Sequence, residues 1–374
     1  MQIARSVHPV PGEHERQARL LGLVDGFAKH RIAVVGDIVA DEFLTGQISR
    51  VSREAPVLIL RYDATRIVPG GGGNAANNVA ALGGRVELFG LVGQDEAGRA
   101  LVKSFPGTVR KGGVMRPAGF HTPTKTRVLA GGIHSAKQQI VRIDREPTDP
   151  PPAPVLQAFT EKVLATIERA DAVLLSDYGY GVVTPLLAEA ILHRLKASPR
   201  RRHVPVLVDS RYNLGAFCDV TACTPNQPEV EQLLGVRIND DLDALERAGR
   251  TLLRRLRMNA VLVTRGSHGM ALFEPKMPTA HIPIFGSDEI ADVTGAGDTV
   301  MATLALALAS GASFYEAARL ANYAGGVVVM KRGTATVSAD ELRQAILSDH
   351  ATDTEHWSRE VPEQGRRRAH VGCH

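Results

Sequence analysis

The chain has 374 residues, 44% of them apolar and 22% charged, and 44 Lys and Arg against 40 Asp and Glu leave a formal charge of +4. That apolar share supports a sizeable core and excludes wholesale disorder, and no stretch approaches the ~18 uninterrupted apolar residues of a membrane span. Three scattered cysteines (Cys218, Cys223, Cys373) argue against a disulfide framework or zinc cluster. The basic residues are spread rather than gathered, which speaks against nucleic acid. The start of the chain has no apolar leader-like core, so the cytoplasm is the expected compartment, with no membrane partner.

Residues 1–29 carry no sustained periodicity and read as an N-terminal extension. Short apolar runs ending at a polar residue then recur: RIAVVGD to Asp37, VELFGLVGQD to Asp95, DAVLLSD to Asp177, VPVLVD to Asp209, and NAVLVTRG through Thr264 to Gly266. Runs apolar on both faces predict central strands of a parallel sheet. Helical patterns between them (153–170, 242–258) predict a doubly wound α/β fold, whose ligands sit beyond the carboxyl ends of the strands. Two segments, 47–68 and 122–144, have strand character without intervening helices and predict ribbons forming a small β-lid, about 44–68 and 120–145. The five-proline stretch EPTDPPPAP (146–154) separates lid from core, and 350–374 is expected to be a disordered tail.

Two glycine clusters stand out. In DVTGAGDTVMATLALALASG (292–311) an almost wholly apolar helix follows Gly295, Ala296 and Gly297. Its first-turn N–H groups and dipole suit an anion, with small residues allowing close approach. Asp298 in that turn either stabilises the dipole or accepts a proton from a hydroxyl attacking a phosphate. The second cluster, PGGGGNAANNVAALGG (69–84), offers Gly72 and Gly73 for ligand approach and Asn74 as an N-cap or ligand contact. Gly71, Gly73 and Ala76 also fit G-x-G-x-x-A, the dehydrogenase fingerprint. Pro69 and the ribbon before it are the wrong context for a Rossmann turn. A P-loop is excluded, since none of the nine lysines follows glycine.

Together the clusters resemble the two signatures of the ribokinase-like (phosphofructokinase-B) carbohydrate kinases. GLVGQDEAG (90–98), TPNQPEVEQL (224–233), VTRGSHG (263–269) and LANYAGGVVVMKRGTATVS (320–338) resemble further family segments in consistent order over about 30–348. The resemblance implies a ribokinase-like kinase domain over 30–349 that uses ATP and Mg²⁺. The nucleotide would be bound by Asn226, Glu229, Thr264, Gly266, Gly269 and Asn322. The metal would be held by Asn226 and Glu229 through water. The sugar would be bound by Asp37, Asp41, Gly72, Gly73, Asn74 and Arg142. The segment 34–57 is most similar to the bacterial heptose-7-phosphate kinases of lipopolysaccharide precursor synthesis, without the nucleotidyltransferase domain of their bifunctional forms. A monovalent cation near the Asp292 loop and a homodimer through the lid are further implications.

Departures from the family pattern are Thr303 at a usually smaller position, Tyr180 where the heptose kinases carry lysine, Arg211 in place of a second lysine, and extra lid residues GGIHSA (131–136). They leave open another sugar or nucleoside as acceptor, or a sugar-binding protein without activity. For a phosphorylated acceptor, Lys125, Arg127, Arg142 and Arg211 are the available anchors.

Overall fold

Alternating burial along the central strands decides the layering. The computed structural model describes residues 13–131, 137–198, 203–286, 292–331 and 333–349. In it β1 (Arg31–Gly36) sends Ile32 and Val34 into one apolar layer and Ala33 and Val35 into the other. The other large-sheet strands are β4 (Arg85–Leu91), β5 (Val109–Met115), β8 (Ala172–Asp177), β9 (Val206–Ser210), β10 (Ala222–Cys223), β11 (Ala260–Thr264), β12 (Met270–Phe273) and β13 (Ala280–Ile282). Among the described residues the order is β13-β12-β11-β10-β9-β8-β1-β4-β5. Pairing is parallel except at β11–β12 and β12–β13. The chain runs outward from β1 one way to β4 and β5 and the other way through β8. The crevice at the carboxyl ends of β1 and β8 is therefore the switch point where such sheets bind ligands.

One layer holds α1 (Glu13–Gly26), α2 (Gly72–Ala81), α3 (Glu96–Ser104), α8 (Ala296–Ala309), α9 (Phe314–Val329) and α10 (Ala339–Ser348). The other holds α4 (Ala153–Leu164), α5 (Pro185–Ala197), α6 (Gln227–Leu234) and α7 (Leu242–Leu256). Helix α8 is buried from Asp298 to Ala307, which is why its sequence is apolar all round.

The extension is not structureless where it is described. Leu20, Leu23, Val24 and Phe27 are buried in the core, at the i, i+3, i+4, i+7 spacing of one helical face. Gln17 Nε2 donates to the Ile346 carbonyl at 3.0 Å, fastening α1 to α10. The charged run that precedes them (EHERQAR, 13–19) and the two glycines among them hid the pattern. The lid is a four-stranded sheet, β3-β2-β6-β7, of β2 (Ile38–Val51), β3 (Leu58–Gly71), β6 (Thr124–Gly131) and β7 (Gln138–Arg145). It starts directly after β1, earlier than its ribbons were expected to. Residues 1–12, the extra lid residues 132–136, and the tail from 350 with Cys373 lie outside the described residues.

Candidate active site

Asp37 leaves the end of β1 into the crevice and is buried. Its Oδ2 accepts from the N–H groups of Tyr178 (2.8 Å) and Tyr180 (3.2 Å), while Oδ1 is buried without a hydrogen-bond partner among the described residues. Burial pushes its pKa up to about 7, against the pull of the Tyr178 amide and with help from the Asp177 charge. Asp41 lies on the inner face of β2. Its Oδ1 accepts from Arg127 Nη1 at 2.5 Å, and its Oδ2 from Thr334 Oγ1 at 3.1 Å.

At each of the glycines 70–73 an added side chain would meet the protein's own chain. A Cβ on Gly70 would lie 2.4 Å from Asp41 Oδ2, one on Gly71 2.6 Å from the Asp37 carbonyl, and one on Gly72 3.0 Å from Gly36 Cα. Gly73 faces Pro69 and Phe105 in the same way. Their missing side chains let β1, β2 and α2 converge beneath the two acids. The G-x-G-x-x-A pattern sits at the end of a lid strand, so the dehydrogenase fingerprint has no Rossmann context.

Asn74 does not cap α2; Gly71 occupies that position. Its amide donates to Asp298 Oδ2 at 2.8 Å and to the Gly295 carbonyl at 3.4 Å. Behind it Asn78 Nδ2 donates to Asn74 Oδ1 (3.2 Å) and Thr299 Oγ1 to Asn78 Oδ1 (3.0 Å), a buried polar chain from α2 to α8. Tyr178 OH donates to Asp298 Oδ1 at 3.1 Å. Burial pushes Asp298 up to about 7, with the Asn74 and Tyr178 hydrogen bonds opposing and the Asp41 charge adding. A carboxyl poised there, with two donors fixing its plane, has the properties of a general base. Gly295, at φ 79°, is the left-handed N-cap of α8. Ala296 and Gly297 follow in the first turn, so the arrangement read from the sequence is present.

Opposite Asp298 opens a cleft of about 460 Å³, lined by Asp209, Arg211, Asn226, Glu229, Thr264, Gly266, Gly269, Asn322 and the first turn of α8. Every residue expected to bind nucleotide thus borders one cavity. Asn226 and Glu229 also form a capping box on α6: Asn226 Oδ1 accepts from the Glu229 N–H (2.8 Å), and Glu229 Oε2 from the Asn226 N–H (2.9 Å). The helix-stabilising and site-forming readings of Glu229 therefore coexist. Asn322 Nδ2 donates to the Pro283 carbonyl at 2.8 Å. Gly269, at φ 73°, lets the chain pass where a Cβ would meet the Ile282 carbonyl at 2.1 Å.

Sequence reasoning left Asp209 and Tyr178 out of the site. Both stand at or just past the carboxyl end of a central strand, and that position was the available signal. Burial, then the charges of Asp298 and Glu229, push Asp209 well above the usual carboxylate range. Asp209, Glu229 and the Asn226 amide give an all-oxygen donor set, as a hard divalent cation requires. Among the described residues no three acidic, His or Cys side chains already converge on one point.

Arg142 does not reach this site: it lies on the exposed strand β7 and pairs with Asp144 at 2.9 Å. Tyr180 is buried and its OH donates to Glu146 Oε1 at 2.9 Å. Thr303 returns its hydroxyl to the Thr299 carbonyl at 2.8 Å, which lets a polar side chain sit inside α8.

A parallel sheet with a β-lid, a small-residue helix N-terminus and an opposed buried acid define a carbohydrate kinase of the pfkB class. The pfkB family carbohydrate kinase model matches residues 29–341, and the chain belongs to that family. It is 43% identical over 324 residues to the bifunctional protein HldE of Geobacter metallireducens, a match covering 85% of this chain and 63% of that one. The chain thus spans less than two thirds of the relative's length. Among solved structures it is similar to the Arabidopsis thaliana ribokinase complexed with ribose and ATP (TM-score 0.62, 20% identity, 85% and 97% of the two chains). It is likewise similar to phosphofructokinase-2 from Escherichia coli in complex with potassium (0.65, 19%, 85% and 98%). These likenesses establish a ribokinase-like fold.

Proposed function

We propose that this chain transfers the terminal phosphoryl of ATP to a sugar hydroxyl, and that the acceptor is heptose 7-phosphate, giving heptose 1,7-bisphosphate for ADP-heptose and lipopolysaccharide precursor synthesis. The observation that carries the kinase reading is Asp298: a buried carboxylate at the N-terminus of α8, held by Asn74 and Tyr178 and facing the cleft. The heptose assignment is supported by the 34–57 segment and by 43% identity to the HldE chain.

ATP lies along Thr264, Gly266, Gly269 and Asn322, with its last phosphate toward the amides of Gly295, Ala296 and Gly297. The acceptor lies under the lid against Asp37 and Asp41, where the unpartnered Asp37 Oδ1 takes a hydroxyl. Asp298 accepts the proton of the attacking hydroxyl while the α8 amides take up charge on the moving group. Asn226 and Glu229, through water, with Asp209 beside them, would hold Mg²⁺, which would supply charge neutralisation at the phosphates. The Asp292 loop, where that carboxylate accepts from the Thr294 and Gly333 N–H groups, is the expected place for a monovalent cation. The working form is a cytoplasmic homodimer joined through the lid.

The test is ADP release with Mg-ATP over free sugars and sugar phosphates. Heptose 7-phosphate is expected to be the preferred acceptor, and Asp298→Asn to cut kcat by ~100-fold or more with ATP binding retained. Turnover near wild type in that variant removes Asp298 from the chemistry.

A further inference from the structure

The buried polar chain between α2 and α8 has a direction. Asn74, Asn78 and Thr299 are at most 1% exposed, and the residues beside them in sequence, Ala75, Val79 and Val300, belong to the apolar core. A buried amide is kept at such a place only with its hydrogen bonds made. Those of Asn78 admit one orientation. Its Nδ2 lies 3.1 Å from the main-chain carbonyl of Asn74, one turn back, and a carbonyl can only accept. Its Oδ1 is thereby turned to α8, where it accepts from Thr299 Oγ1 at 3.0 Å. The same Nδ2 donates to Asn74 Oδ1 at 3.2 Å. With its oxygen so engaged, Asn74 has N–H left for Asp298 Oδ2, at 2.8 Å, and for the Gly295 carbonyl, at 3.4 Å. The reverse orientation of Asn74 would set an amide oxygen against a carboxylate oxygen.

We propose that Asn78 is a positioning residue for Asp298: through Asn74 it fixes the N–H that the carboxylate meets, and through the Gly295 carbonyl it steadies the first turn of α8. This role rests on the kinase reading above for its effect on turnover. It goes beyond that reading by extending the catalytic arrangement to a side chain wholly buried between two helices. An ionised Asp298 needs the Asn74 N–H, whereas a protonated one can itself donate to an amide oxygen. The direction of the chain therefore matters most where the carboxyl is charged. Burial pushes the Asp298 pKa up to about 7, and the Asn74 hydrogen bond pulls against it. The other groups facing this carboxyl are Asp41 on β2, Tyr178 just past β8, and Asp209 and Arg211 at the end of β9. Replacing Asn78 by an uncharged residue leaves all four in place.

The test uses the full chain with Asn78→Leu, which keeps the volume and removes the donor, and with Thr299→Val and Thr299→Ser, which remove and keep the hydroxyl. Each is also combined with Asp298→Asn. With Mg-ATP and heptose 7-phosphate, Asn78→Leu is expected to lower kcat ~10–100-fold while both KM values stay within about twofold of wild type, as for a misplaced catalytic group. Thr299→Val is expected to lower kcat by a smaller factor and Thr299→Ser to restore it. In the Asp298→Asn background neither Asn78→Leu nor Thr299→Val lowers kcat further, since both act through the carboxylate already removed. Equal losses in the two backgrounds, or losses that appear in KM, make Asn78 a packing residue only and overturn the role. Should Asn78→Leu fail to fold, the Thr299 pair carries the same comparison. Unfolding temperatures of the wild type, the single variants and the double variants, taken at pH 8 and pH 5, require no turnover. Non-additivity between positions 78 and 298 that is present at pH 8 and shrinks at pH 5 supports the role even if the wild type phosphorylates no sugar, an outcome that removes the kinase reading alone. Additive effects at both pH values overturn the role and leave the kinase reading standing.

Discussion

On the proposed mechanism, the burial of Asp298 sets both activity and stability. A carboxyl titrating near 7 in the folded chain and near the ordinary 3.8 when unfolded binds its proton more tightly when folded. Its stabilising contribution is therefore complete below the unfolded pKa and is lost as pH rises through about 7. Two outcomes follow from that sign. As a base it must be unprotonated, so kcat/KM should fall as pH drops below about 7, measurable as a pH–rate profile. Asp298→Asn should unfold at a higher temperature than wild type at pH 8, and the gap should narrow by pH 5. A gap independent of pH would mean that the carboxyl does not titrate in this range. Asp37 shares the direction of the shift.

At the scale of elements, the site is made by close contact of β1, β2, α2 and α8. Gly295 is the joint between α2 and α8: at φ 79° a side chain is strained, and its Cβ would sit 2.5 Å from Asn74 Nδ2. Gly295→Ala should therefore cost roughly 1–3 kcal/mol of stability. It should also lower kcat more than it raises ATP KM, because the displaced amide is the one that orients Asp298. Thermal unfolding and steady-state kinetics on one preparation check both. The central strands were legible because burial on both faces writes itself as unbroken Val- and Leu-rich runs. The capping box of Ser313 and Glu316 at the start of α9 is a pattern of the same local kind. Helix α1 was not, since its three core residues, Leu20, Leu23 and Val24, are outnumbered by charges, and only the packing against α10 shows which face is inward.

For the whole molecule, the lid leaves an unusual amount of apolar surface uncovered. Leu58 and Tyr62 on β3 and Ile140, Val141 and Ile143 on β7 are between 43% and 62% exposed, and β7 is the last strand of its sheet. Such an edge is expected to be covered, and on the dimer reading a second copy covers it. Sedimentation should find a dimer at micromolar concentration, and Ile143→Asp should shift it to monomer without lowering the unfolding temperature of the subunit. A wild-type monomer at all concentrations would exclude that arrangement.

Chain order alone determined the α/β class, the strand ends along one crest, and the helix N-terminus carrying Asp298. Each is a local pattern of apolar spacing or of glycine. Which polar groups meet was decided only in three dimensions. Asp37, Asn74, Tyr178, Asp209 and Asp298 are distant in the chain and converge because the sheet reverses its strand order at β1. The same folding brings the glycines of 70–73 against the chain around Asp37 and Asp41, where no side chain fits. It committed Arg127 of β6 to Asp41 of β2, because a side chain's partner across a sheet depends on which strand lies next to its own.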